Sequence, residues 1–199
     1  MNGALAGLVL GTSVAAGLNV YATVATLGIL ERAGVVSLPA GLHVLASPWI
    51  IGIAAALYVV EFVADKIPAV DHVWDLVHTF VRPPAAALLA FAALGNVPEI
   101  WRIGAALLAG TVALASHGGK ASGRVAVNAS PEPLSNWAAS VGEDGLAITL
   151  AWLAAAHPIV ALAVAVVVTI ASVVVIVVTV RLIRGAARLA FGRRRRPAA

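Results

Sequence analysis

The sequence contains no cysteine, a single methionine, and charged residues at only 11% of its 199 positions. Without cysteine there is no disulfide framework, no thiolate metal site and no cysteine nucleophile. Soluble domains carry about 25% charged residues, so an aqueous surface could not be covered from this inventory. Disorder, which needs low hydrophobicity and high charge, is excluded by the same scarcity. Aromatics are few, at 6%, so the net charge of +4 has no base-stacking partners and does not indicate nucleic-acid binding. Catalytic signatures are missing as well. The chain has no Gly-x-Ser-x-Gly elbow, no His-Glu-x-x-His pair and no Walker loop. Ser116 beside His117, with Lys120 nearby, is a poor nucleophile pair, because one helical turn seldom aims such groups together. The reading leans away from an enzyme.

What is abundant is apolar surface: 61% of the residues are hydrophobic and the mean hydropathy is +1.00. This composition predicts an all-α, polytopic integral membrane protein. Residues 3–30 read as a first helix, long enough for a hydrocarbon core of about 30 Å. Within it, Gly3, Gly7 and Gly11 make a smooth packing face. The polar atoms of Asn19, Tyr21, Thr23 and Thr26 suit hydrogen bonds between helices. Further full spans are expected at about 45–64, 100–117 and 158–180. Two stretches, 83–97 and 145–156, cover only about 18–23 Å at about 1.5 Å per residue. They are expected as short spans or re-entrant segments. Residues 1–185 thus form one membrane domain of four full spans and two short apolar helices, followed by a basic tail at 186–199.

An internal repeat is expected. Trp49-x-x-Gly52 opens one span and Trp101-x-x-Gly104 the next. Each span closes on charged residues, then a linker, another Trp (Trp74, then Trp137) and a short apolar stretch. The copies cover about 45–97 and 100–156. If the short stretches span, the copies are parallel and both charged linkers share one face. If they are re-entrant, the copies are inverted, as in many transporters with a midplane site.

Seven of the thirteen basic residues fall in the last 19 positions. Arg181, Arg184, Arg188 and Arg193 to Arg196 follow an apolar span, which predicts a cytoplasmic C-terminus touching anionic lipid headgroups. Both termini are expected inside, and the protein is expected to form homo-oligomers.

Of nine acidic residues, seven fall in the windows 61–82 and 117–144. Ionisable groups near a membrane are costly and mark cavities or partners. In the first window Glu61 and Asp65 share a helix face, with Lys66 beside them. Asp71, Asp75, His78 and Arg82 then form a polar stripe on an amphipathic helix over 69–82, punctuated by Pro68 and Pro83-Pro84. Three readings stay open: an interfacial helix with solvated charges, internal ion pairs of Asp71 or Asp75 with Arg82 or Lys66, and a divalent-cation site with Asp71, Asp75 and His78 as ligands. In the second window His117, Lys120 and Arg124 share a face if the helix continues past Gly118-Gly119. Those glycines could instead unwind and offer amides to an anion. Asn128 follows. Ser130-Pro131-Glu132 suits a helix start. Glu143-Asp144 would be costly in a bilayer unless Lys120 or Arg124 neutralises it.

The stretches Gly17-Leu-Asn-Val-Tyr21, Glu61-Phe-Val-Ala-Asp-Lys-Ile-Pro68, His117-Gly-Gly-Lys-Ala-Ser-Gly-Arg124 and Ser130-Pro-Glu-Pro-Leu-Ser-Asn136 resemble a bacterial membrane-protein family defined only as a domain of unknown function. The resemblance covers about 10–185. It implies an inner-membrane protein and carries over no activity or catalytic residue. The leading functional expectation is a transporter or channel for an ion or small charged solute, using both windows. The alternatives are a metal-dependent membrane enzyme acting on a lipid headgroup, and a structural assembly protein.

Overall fold

A computed structural model describes residues 2–128 and 133–193. Within them the chain is helical: α1 (Gly3–Leu18), α2 (Val20–Arg32), a 3-10 helix (Ala40–Ala46), α3 (Pro48–Ala64), α4 (Pro68–Ala93), α5 (Glu99–Asn128), α6 (Pro133–Ala156) and α7 (Pro158–Arg193).

The expected first span is two helices. Asn19 leaves the helical region at φ −153°, and its Oδ1 accepts the Ala22 N–H at 2.9 Å, capping α2. From this break the chain turns back. Ala4, Leu5 and Leu8 of α1 line one pocket with Ser37, Leu38 and Pro39, although α2 is about 20 Å long. That return is possible only if α1 and α2 form a hairpin with Asn19 at its tip. At the foot of α2, Gly34 adopts φ +68°, and the Gly34 and Val35 N–H groups bond the Glu31 and Leu30 carbonyls. This is the pattern of a glycine-terminated helix.

α1 is the innermost element and packs on α4, α5, α6 and α7. Glycine makes this possible at two points. A methyl on Gly7 would overlap the Pro158 carbonyl, and one on Gly17 would overlap Ser116 Oγ and the Ala113 carbonyl. α5 and α7 run along α1, as the pairs Val14–Ser116 and Gly11–Ala161 show. α4 and α6 run against it, through Gly17–Arg82 and Asn19–Asp144. Gly3 therefore lies at one end of the bundle beside Ile159. The other end of α7, a helix of 36 residues, stands opposite. The hairpins α3–α4 and α5–α6 point the same way, and the C-terminal part of α5 and the N-terminal part of α6 meet the α3–α4 linker at the end opposite Gly3 (below).

Among the described residues three helices are long and apolar enough to cross a membrane, Val70–Ala93, Glu99–Val125 and Pro158–Arg188. The 3-10 helix and α3, bent by 68° to each other, together pass the same test and count as a fourth if the pair is one broken span rather than a re-entrant loop. Their outward faces are greasy: Phe80 is 74% exposed, Leu107 69% and Val167 65%. Trp49 and Trp101 near the Gly3 end and Trp137 near the other are also exposed, the position of an interfacial aromatic belt.

The short segments are corrected. Residues 83–93 continue α4 and 145–156 complete α6, so neither stands alone. Pro83 and Pro84 do not end the amphipathic helix. α4 runs through both, and its polar stripe faces the bundle rather than a headgroup layer. Gly118 and Gly119 do not unwind α5. They let α7 approach, Gly118 against Ile176 and Gly119 against Ser172.

Candidate functional site

Charged side chains on α3, α4, α5 and α6 converge at the hairpin tip. Glu61, Asp65, Asp71, Asp75, Arg82, Lys120, Arg124 and Asp144 are all buried. The side chain of Glu143 is 20% exposed. The two sequence windows, more than thirty residues apart, are thus one site.

Arg82 holds its inner part. Nη2 donates to Glu61 Oε1 at 2.5 Å. Nη1 donates to the Gly17 carbonyl at 2.9 Å and to His117 Nδ1 at 2.7 Å. A guanidinium cannot accept, so His117 Nδ1 carries no proton and Nε2 carries one. Nε2 lies 3.0 Å from both the Asp75 carbonyl and Thr79 Oγ1. His78 is equally committed. Its Nδ1 donates to the Trp74 carbonyl at 2.8 Å, leaving Nε2 to accept from the Tyr21 hydroxyl at 3.2 Å. Trp74 stacks on its ring at 4.8 Å.

Arg124 holds the outer part. Nη2 and Nε engage Glu143 at 2.7 and 3.2 Å, and Nη2 reaches Asp65 Oδ2 at 3.3 Å. Nη1 donates to Asn136 Oδ1 at 2.5 Å and to the Asp65 carbonyl at 3.1 Å. The Asn136 amide reaches that same carbonyl at 3.2 Å. These bonds join the α3–α4 linker to the facing ends of α5 and α6. Asp71 approaches Arg124 at 4.0 Å.

Lys120 bridges the two parts. Its Nζ is 2.7 Å from Asp65 Oδ2, and 3.7 Å from both Glu61 Oε1 and Glu143 Oε2. Asp144 lies to one side, where Oδ1 accepts from the Asn19 amide at 2.9 Å. Lys66 stands at the edge, bonded to the Phe62 carbonyl at 2.9 Å. Partial burial holds its ammonium below the usual lysine range, against the pull of Asp144 and Asp65.

Four carboxylates, Glu61, Asp65, Asp71 and Glu143, lie within 4.0 Å of Arg82, Lys120 or Arg124, Asp75 and Asp144 are buried in the same region, and Lys66 is a fourth cation at the margin. Acids outnumber bases. Glu61 Oε2, Asp65 Oδ1, Asp75 Oδ1 and Asp144 Oδ2 are buried without a hydrogen-bond partner. Such atoms are expensive to leave unsatisfied.

The expected pairing of Arg82 with Asp71 or Asp75 is replaced by pairing with Glu61. Glu143 is neutralised by Arg124, and Ser116 bonds the Val14 carbonyl at 3.1 Å rather than His117. The metal trio of Asp71, Asp75 and His78 is not assembled. Both His78 nitrogens are engaged, and among the described residues no three His, Asp or Glu side chains cluster in metal-binding geometry. The side chain of Asn128 and all of Glu132 lie outside the described residues. Sequence reasoning overlooked Asn136 and Thr79 as site members, and the Gly17 carbonyl. Their only signal is position beside the charged residues. No curated protein and no solved structure matches the chain. A family model described as "Domain of unknown function (DUF4126)" matches residues 6–178, and the chain belongs to that family.

Proposed function

We propose that the protein is a small membrane transporter or channel that passes an ion or small charged solute through the buried cluster at the hairpin tip. The observation that carries this reading is the surplus of buried carboxylates with unpartnered oxygens. Charge held in a bilayer without full compensation marks an ion or proton pathway. The broken helix adds support, because discontinuous helices frame substrate sites in many transporters. The concentration of arginine after Val180 supports a cytoplasmic end for α7 in a bacterial inner membrane. Gly3 would then face the opposite side, in place of the expectation that both termini lie inside. The like direction of α3–α4 and α5–α6 supports parallel repeat copies.

The test is flux in liposomes. Asp75 has its carboxylate buried, and its Oδ1 has no partner. Asp75→Asn is expected to abolish ion flux while shifting stability by less than about 1 kcal/mol. Full flux in that variant would remove Asp75 from the pathway.

The dense pairing around Arg82 and Arg124 favours a second reading, in which the cluster only staples helices together. Under it, Asp75→Asn changes nothing, and Arg82 variants lose assembly without any ion-specific effect.

A further inference from the structure

We propose that a groove beside α1, at the Gly3 end of the bundle, holds one acyl chain of a phospholipid from the surrounding leaflet. This goes beyond the transport reading and does not rest on it, since the charged cluster lies at the opposite end. A cavity of about 730 Å³ opens between α1, the α4–α5 linker and α5, walled by Leu10, Leu94, Val97, Trp101 and Leu108. Ligand pockets measure about 300–1,000 Å³, so its size is that of a binding site. A smaller cavity shares Leu10 and Leu108 and continues the groove between α5 and α7, past Val112 to Ile170. From Trp101 to Val112 the groove follows α5 for about 16 Å, at about 1.5 Å per residue. Half of a hydrocarbon core of about 30 Å is nearly the same depth, so the groove is one leaflet long. Its polarity is graded like that of an amphiphile. Asn96 supplies a polar side chain at the mouth, beside Trp101 of the aromatic belt. Deeper in, the Thr169 hydroxyl is spent on the Ala165 carbonyl at 2.7 Å, which leaves hydrocarbon walls. Water finds no partners on such walls, and an empty groove would forfeit their dispersion contacts. An α-helix is about 10–12 Å across and cannot enter the inner cavity of about 190 Å³. A hydrocarbon chain can. Gly104 keeps the way open. A methyl there meets nothing within 4 Å, so no neighbouring helix demands a residue that weakens a helix interior.

The experiment strips the purified protein by exhaustive detergent exchange, titrates phosphatidylglycerol back and counts bound lipid by native mass spectrometry. Gly104→Leu fills the groove, starting from a position with open space. Gly52→Leu is the control, because a side chain there also meets open space but lies outside the groove. Expected is a single tightly held lipid on wild type and on Gly52→Leu, with affinity at least about tenfold lower in Gly104→Leu. Equal affinity in all three proteins, or stepwise adducts with no distinguished first lipid, overturns the proposal. So does a lipid-free dimer that Gly104→Leu disrupts, which would give the groove to a second copy. Should Gly104→Leu fail to assemble, wild type in nanodiscs of phosphatidylglycerol with a diazirine in its chain decides. Because α1 is the innermost helix, cross-links at Leu10 together with Leu108 require a chain inside the groove and support the site. Labelling confined to outward residues such as Phe80 and Val167 overturns it.

Discussion

The two ends of the α1–α2 hairpin are held by opposite means. Around its base, α1 meets its neighbours through Gly7, Gly11, Ala154 and Ala161, with backbone nearly touching backbone. Around its tip, Arg82, Lys120 and Arg124 reach across gaps to carboxylates at the end of α3 and on α6. In lipid there is no hydrophobic drive to bring helices together, so close packing and polar contacts must do so. The base uses the first and has nothing left over. The tip uses the second with acids in surplus, and that surplus is what makes the tip a functional candidate.

The sharpest way to break this contrast is Arg82→Met. It strands Glu61, the Gly17 carbonyl and His117 at once, and removing one partner of a buried pair costs about 3–5 kcal/mol. Denaturant unfolding of the purified protein in detergent should show the loss, with Arg82→Lys recovering part of it. Next comes Gly17→Ala, which tests packing where it meets the cluster. The added methyl collides with Ser116 and the Ala113 backbone, and overpacking of this kind costs about 1–3 kcal/mol. A variant as stable as wild type would mean that α5 can move away freely. Asn19→Ala should cost about 1 kcal/mol through the lost cap of α2, and it also leaves Asp144 Oδ1 without its donor. The smallest effect is expected at Val174→Leu on the lipid-facing side of α7, where the residue is 54% exposed. A change above about 0.5 kcal/mol there would point to a contact with another protein.

Much of this was legible from sequence because charge is rare in the chain. Any cluster of acids stands out against so apolar a background, and both windows are visible in the sequence. Their union is legible only as one of two layouts, and the pairing inside it is not legible at all. Which of Glu61, Asp71 or Asp75 meets Arg82 depends on the register between α3 and α4, and linear spacing does not contain it. Two local signals misled. Pro83-Pro84 reads as a stop, but in a membrane helix neighbouring groups compensate for the lost donors, and α4 continues. Asn19 reads as a hydrogen-bonding residue within one long helix. It does bond another helix, through Asp144, yet its capping of Ala22 N–H is what divides the span. In water the same residue type is a familiar helix start. The apolar run on both sides concealed it.

The break at Asn19 also has an electrical consequence. A helix carries about half a negative charge at its C-terminus and half a positive one at its N-terminus, and here both ends lie within two residues of each other. Arg82, from α4, covers the negative pole at Gly17. Asp144, from α6, stands beside the positive pole. Each pole is thus screened by a different helix. A shift of α4 alone would bare a spot that attracts cations, and a shift of α6 alone one that attracts anions, so the sign of the tip is set by which neighbour moves.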